Sequence, residues 1–193
     1  MRKTLTIGIA LALLAPASSG LGLRPGLAVV TAAGQQTTRV HEGKGGSPHD
    51  RTEWTIDGAR ISITYGRPSV KGRTVFGGLE PYGKVWRAGA DEATTLVTDR
   101  TIVFGGLTVP PGEYTLFTWI DDKGPWQLIV SKETGQWGTA YKASEDLGRA
   151  EMTTETLPEL VEQLTYSIDD TAGGGVLHLT WEKTRASIPF RIQ

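Results

Sequence analysis

From Arg51 onward the chain alternates apolar and polar residues with a period of two, the pattern of strands half buried in a sheet. RTEWTI and ARISITY flank Asp57-Gly58, and a two-residue turn of that composition supplies the positive φ angles of a type I′ hairpin. In the second arm Ile61, Ile63 and Tyr65 share one face. TTLVT and TIVF follow, divided by Asp99-Arg100; Gly105-Gly106 turns into LTV, and Pro110-Pro111-Gly112 leads into EYTLFTWI. There Tyr114, Leu116, Thr118 and Ile120 alternate with Thr115, Phe117 and Trp119, so both faces are apolar enough to predict a central strand. Asp121 to Gly124 turns the chain into PWQLIV. QLTYSID presents Leu164, Tyr166 and Ile168 on one face, and after a turn over Thr171 to Gly175, VLHLTWEK points Leu177, Leu179 and Trp181 inward and His178 outward. ASEDL and PELVEQL have room for one helical turn each. Short strands at regular turn spacing predict an all-β fold: a single antiparallel β-sandwich or jelly-roll-like domain.

One segment breaks the pattern. YGRPSVKGRTVFGGLEPYGKVWRAGADEATT, residues 65 to 95, has neither a sustained alternation nor a helical period. It holds Arg67, Lys71, Arg73, Lys84 and Arg87 against Glu80, Asp91 and Glu92. The region from Lys132 to Asp170 leans the other way, with nine acidic residues against Lys132, Lys142 and Arg149. Over the whole chain 20 basic and 21 acidic side chains leave a net charge of −1, so no global field recommends nucleic acid as a partner.

The N-terminus reads as an address. Arg2 and Lys3 precede the apolar run Leu5 to Ala15 and the small residues PASSG, the order of a secretory signal peptide over residues 1–33, with cleavage expected between about 17 and 33. Arg24 and Pro25 interrupt the apolar stretches, so no integral membrane span is expected there. The expectation is an exported protein, periplasmic or secreted. Cysteine is absent, which removes disulfides, thiolate metal sites and a cysteine nucleophile. Residues 34–48 read as a flexible, glycine-rich leader, and the domain as 49–193.

Candidate chemistry gathers in the odd segment. A loop carrying Arg67, Lys71, Arg73, Arg87 and Glu92, with Trp86, Trp137 and Tyr141 as flat surfaces, suits a small polar ligand such as a saccharide or organic anion. The same arginines suit a self-bracing loop, with Arg87 paired to Asp91 or Glu92. His49, at the domain edge, is the one histidine placed to act as a general base with Glu92 or Asp91; the alternative for it is a capping role. His41-Glu42 and His49-Asp50 offer metal ligands, but across a stretch too glycine-rich to preform a site, so neither metal nor cofactor is expected. No GxSxG supports a serine nucleophile. Three function classes stand: a ligand-binding module, a hydrolase using His49, and an envelope protein-interaction domain.

The run GRPSVKGRTVFGGLEPYGKVWRAGADEATT, then VPPGEYTLFTWI, SKETGQWG and the ending WEKTRASIPF resemble the bacterial DUF2911 family of exported proteins, a domain of unknown function, from about His49 to Phe190. The resemblance implies a classification and carries no activity. It also implies that Asn more often occupies position 91, so Asp91 adds a carboxylate beside Glu92.

Overall fold

A computed structural model describes residues 34–193; the export signal read over 1–33 lies outside the described residues. The predicted strands form, and a few more join them. In chain order they are β1 (Gln36–His41), β2 (His49–Ile56), β3 (Ala59–Gly66), β4 (Lys84–Trp86), β5 (Thr94–Thr98), β6 (Ile102–Phe104), β7 (Leu107–Val109), β8 (Gly112–Ile120), β9 (Trp126–Ser131), β10 (Asp146–Thr171) and β11 (Gly174–Ile192). The Asp57-Gly58 turn has φ of 47° and 78°, as a type I′ hairpin requires. At the β8–β9 turn Asp121 Oδ1 accepts the backbone N–H groups of Lys123 and Gly124, which hold its carboxyl below the usual range. ASEDL gives one 3-10 turn at Ala143–Glu145, but PELVEQL stays in β10, whose register slips twice against β11 between Thr156 and Thr165.

All pairs are antiparallel, so the all-β class holds. Hydrogen bonding runs unbroken through one sheet in the order β1-β2-β3-β5-β8-β9-β10-β11-β6-β7, with β4 on β8. The continuity comes from β10, which pairs β9 from Asp146 to Met152 and then continues along β11 from Thr153. The far parts of this sheet meet across the interior. Ile61, Ile63 and Leu96 face Ile102, Phe104, Ile168, Leu177 and Phe190 around a space of only about 10 Å³, the tight closure expected of a dry core. β8 is central, as its two apolar faces predict.

Three features of this frame place the candidate site. First, β5 and β4 share one side of β8: Thr94 to Thr98 pair with Leu116 to Gly112, and Lys84 to Trp86 pair with Ile120 to Thr118. They form one interrupted edge, and Arg87 to Ala93 is the excursion between its halves. Secondly, residues 67–76 cross to β10, where Val70 N donates to Glu162 O, Leu164 N donates to Pro68 O, and Val70, Val75 and Phe76 enter the core. Thirdly, Gln36–His41 is a strand where a flexible leader was expected. All six of its residues are exposed, so backbone pairing to β2 and the Arg39–Asp50 ion pair hold it in place of burial.

Candidate functional site

The loop from Tyr65 to Thr95 encloses a cleft of about 270 Å³ against the Gly45–Ser47 turn. Lys71, Arg73 and Arg87 line it, together with Glu80, Asp91 and the edge of the core residue Trp181. Each cation arrives by a different local device. Lys71 stands in a left-handed turn with Gly72 (φ 48° and 69°), and its backbone N–H is held by Glu162 Oε1 at 2.9 Å. Arg73 folds back on its own loop: its Nε donates to Val70 O at 3.0 Å and its Nη2 to Ser69 O at 2.7 Å. Arg87 opens the excursion between β4 and β5. Among the described residues neither Arg87 nor Lys71 has a carboxylate within ion-pair distance, and the Arg87 guanidinium donates no hydrogen bond.

The backbone behind Arg87 is strained. Ala88 and Asp91 have φ of 49° and 60°, in the left-handed region that costs a residue with a Cβ about 1 kcal/mol or more. Ala88 is fully buried, and its carbonyl is fixed by Thr94 Oγ1 at 3.1 Å and by Tyr166 Oη at 3.0 Å. Gly138 N donates to Asp91 O at 2.9 Å and Ala93 N to Gln136 O at 3.2 Å, which pin the excursion to the next loop. Asp91 Oδ2 is buried without a hydrogen-bond partner. Burial pushes the Glu80 carboxyl up, against the weaker pull of Arg87, the nearby Trp86 indole and Arg73. The Trp86 indole N–H lies near that carboxylate without the geometry of a hydrogen bond.

Several residues read as ligand contacts are engaged by other parts of the protein. Arg67 spends its guanidinium on Asp50 Oδ2 (2.8 Å), Leu164 O (3.0 Å) and Thr165 Oγ1 (3.1 Å), and it does not line the cleft. Trp86 is 3% exposed, T-shaped to Phe76 at 5.4 Å and stacked near Trp181 at 5.9 Å. Tyr141 packs on Phe117, donates to Asp146 Oδ2 at 2.8 Å and accepts from Arg149 at 2.7 Å. It borders a smaller recess of about 210 Å³ on the other side of Arg87. Trp137 is exposed and bridges Glu92 through the backbone, away from the cleft. The expected brace between Arg87 and Asp91 or Glu92 does not form; Arg67 with Asp50 does that work.

His49 and Glu92 do meet, with Nε2 and Oε2 2.9 Å apart. The histidine is 3% exposed and is not among the residues that line the cleft with Arg87. Asp91 and Glu92 diverge, the first into the cleft wall and the second to His49. His41, read as too loosely joined to His49 to cooperate with it, stacks on that ring with centroids 4.1 Å apart, and the ligand atoms of His41, His49 and Glu92 all lie within 4.8 Å of one another. His178, on the face opposite Leu177 and Leu179, is nonetheless buried, between Ser187 Oγ (2.7 Å) and Asp169 Oδ2 (3.1 Å).

A larger groove of about 430 Å³ lies over β2, β3 and β5, but its charges are already paired, Arg51 with Glu53 and Arg60 with Asp99. A site that must attract a charged molecule is better sought where the cations are free.

Residues 47–190 match the family model described as a protein of unknown function, DUF2911, and the chain belongs to that family. No curated protein matches it. No solved structure matches it either.

Proposed function

We propose that this DUF2911 chain is exported and that its cleft binds a small polar anion, an organic acid or an acidic saccharide. The observation that carries the reading is Arg87: a half-buried guanidinium in a cleft wall, on strained backbone, with no protein partner among the described residues. A fork of N–H donors kept unpaired beside Lys71 and Arg73 is preorganised for a carboxylate or phosphate. Glu80, pushed toward its neutral form by burial, and the unpartnered Asp91 oxygen suit hydroxyl groups on the same molecule. A volume of about 270 Å³ admits a molecule of monosaccharide size. Export is supported by the Arg2-Lys3, apolar, small-residue order at the N-terminus.

The test is a panel of mono- and dicarboxylates, sugar acids, phosphate and sulfate, read by thermal unfolding in low salt. An anion present at about 100 times its Kd adds roughly 2.7 kcal/mol, a rise of several degrees in Tm. At least one panel member is expected to give that rise with the parent chain and none with Arg87→Gln. A panel that leaves the parent unmoved, or moves Arg87→Gln equally, refutes the reading.

A further inference from the structure

We propose that His41, His49 and Glu92 form a binding site for a divalent transition cation of the zinc class, separate from the anion cleft. The starting observation is a mismatch of donors and acceptors at His49. Its Nδ1 stands 3.0 Å from Ser47 O, while its Nε2 faces both Ala90 O at 3.1 Å and Glu92 Oε2 at 2.9 Å. Three oxygens thus surround a ring that, as a neutral imidazole, has one N–H to give. If that N–H goes to Ser47 O, the usual outer contact of a metal-bound histidine, the Nε2 lone pair points at oxygen. A cation in front of Nε2 turns repulsion into coordination.

The geometry suits a metal ion. With bonds of about 2.0–2.2 Å to imidazole nitrogen and carboxylate oxygen, a pair of donors 2.9 Å apart subtends about a right angle at the ion. Two nitrogens and one oxygen are borderline donors, which select zinc, copper or nickel over calcium and magnesium.

The chain builds the site on purpose-shaped backbone. His41 and His49 are register partners across β1 and β2, so their rings project from the same face. The loop between them closes tightly where only glycine fits: Gly43 has φ of 74°, and a Cβ there would fall 2.0 Å from Ser47 O. At the partner position on β3, a Cβ on Gly66 would meet Ala90 O at 2.3 Å and the His49 ring at 2.9 Å. Coordination by His41 takes a turn of its ring out of the stack. That ring is exposed, and one hydrogen bond holds it, from Gly43 N at 3.1 Å.

The experiment titrates zinc chloride into the purified full chain, carrying no histidine tag, by calorimetry, with calcium chloride as the control. The chain has three histidines, so the third serves as an internal comparison. One zinc per chain is expected with Kd at or below about 10 µM. His41→Ala and Glu92→Gln each weaken it by about tenfold or more, and His178→Ala leaves it unchanged. In the unaltered chain, the imidazole proton resonances of His41 and His49 are expected to shift on adding zinc while those of His178 stay, a readout that needs no variant to fold. No uptake of zinc, uptake that survives His41→Ala or Glu92→Gln, or shifts confined to His178 would each overturn the proposal.

Discussion

Replacing Arg67 with alanine is expected to lower the unfolding free energy by about 3–4 kcal/mol, measured by urea denaturation at neutral pH. Arg67 is the partner that makes the burial of Asp50 tolerable. The Asp50 side chain is 4% exposed and is gripped by Arg67 on one oxygen and Arg39 on the other. Without Arg67 the carboxylate keeps only the half-exposed Arg39, and Leu164 O and Thr165 Oγ1 lose their donor. The deficit has a pH signature. Burial raises the Asp50 carboxyl, but the hydrogen bonds from Arg67 and then Arg39 outweigh it and hold the group below its ordinary value. A group depressed in the folded state contributes stability above its unfolded pKa, about 3.9, and loses it as pH falls through the folded value. The gap between parent and Arg67→Ala is therefore expected to narrow as the pH falls below about 4.

The second large effect lies in the aromatic cluster beneath the cleft. Trp181 is fully buried, stacked on Trp86 and T-shaped to Phe76, which also meets Trp126 at 4.7 Å. Trp181→Ala and Trp86→Ala are each expected to cost about 3–5 kcal/mol, because the cavity left by an indole in a close-packed core cannot collapse fully. Trp137→Ala, on the surface, is expected to change stability by no more than about 0.5 kcal/mol. The contrast separates two tryptophans that look alike in sequence. If Trp86→Ala were as mild as Trp137→Ala, Trp86 would be a ligand surface after all.

Most of the sheet was legible because its strands bury every second residue. Ile61, Ile63 and Tyr65, or Leu177, Leu179 and Trp181, announce a face by alternation, and each is buried as expected. Where burial does not hold a strand, the sequence is silent. β1 is polar but for an exposed Val40 and rests on backbone pairing and on Arg39. β4 is three residues in a glycine-rich run, so Trp86 read as a loop residue although its strand pairs with β8. The division between Arg67 and Arg87 was equally hidden, since the partners of Arg67 lie 17 residues back at Asp50 and 97 residues on at Leu164. His41 and His49 looked too loosely joined to cooperate; pairing of β1 with β2 brings them side by side, and Glu92 reaches them from the excursion before β5.

On the proposed reading the two arginines divide the labour, Arg67 for the fold and Arg87 for a ligand. A residue kept for a ligand contributes little to stability, and its removal can even help the fold. Equilibrium urea unfolding of Arg87→Gln beside the parent measures this without knowledge of what is bound. The account predicts agreement within about 0.5 kcal/mol, in contrast to Arg67→Ala. A loss of about 2 kcal/mol or more would make Arg87 a second brace and take from the cleft the residue on which its function rests.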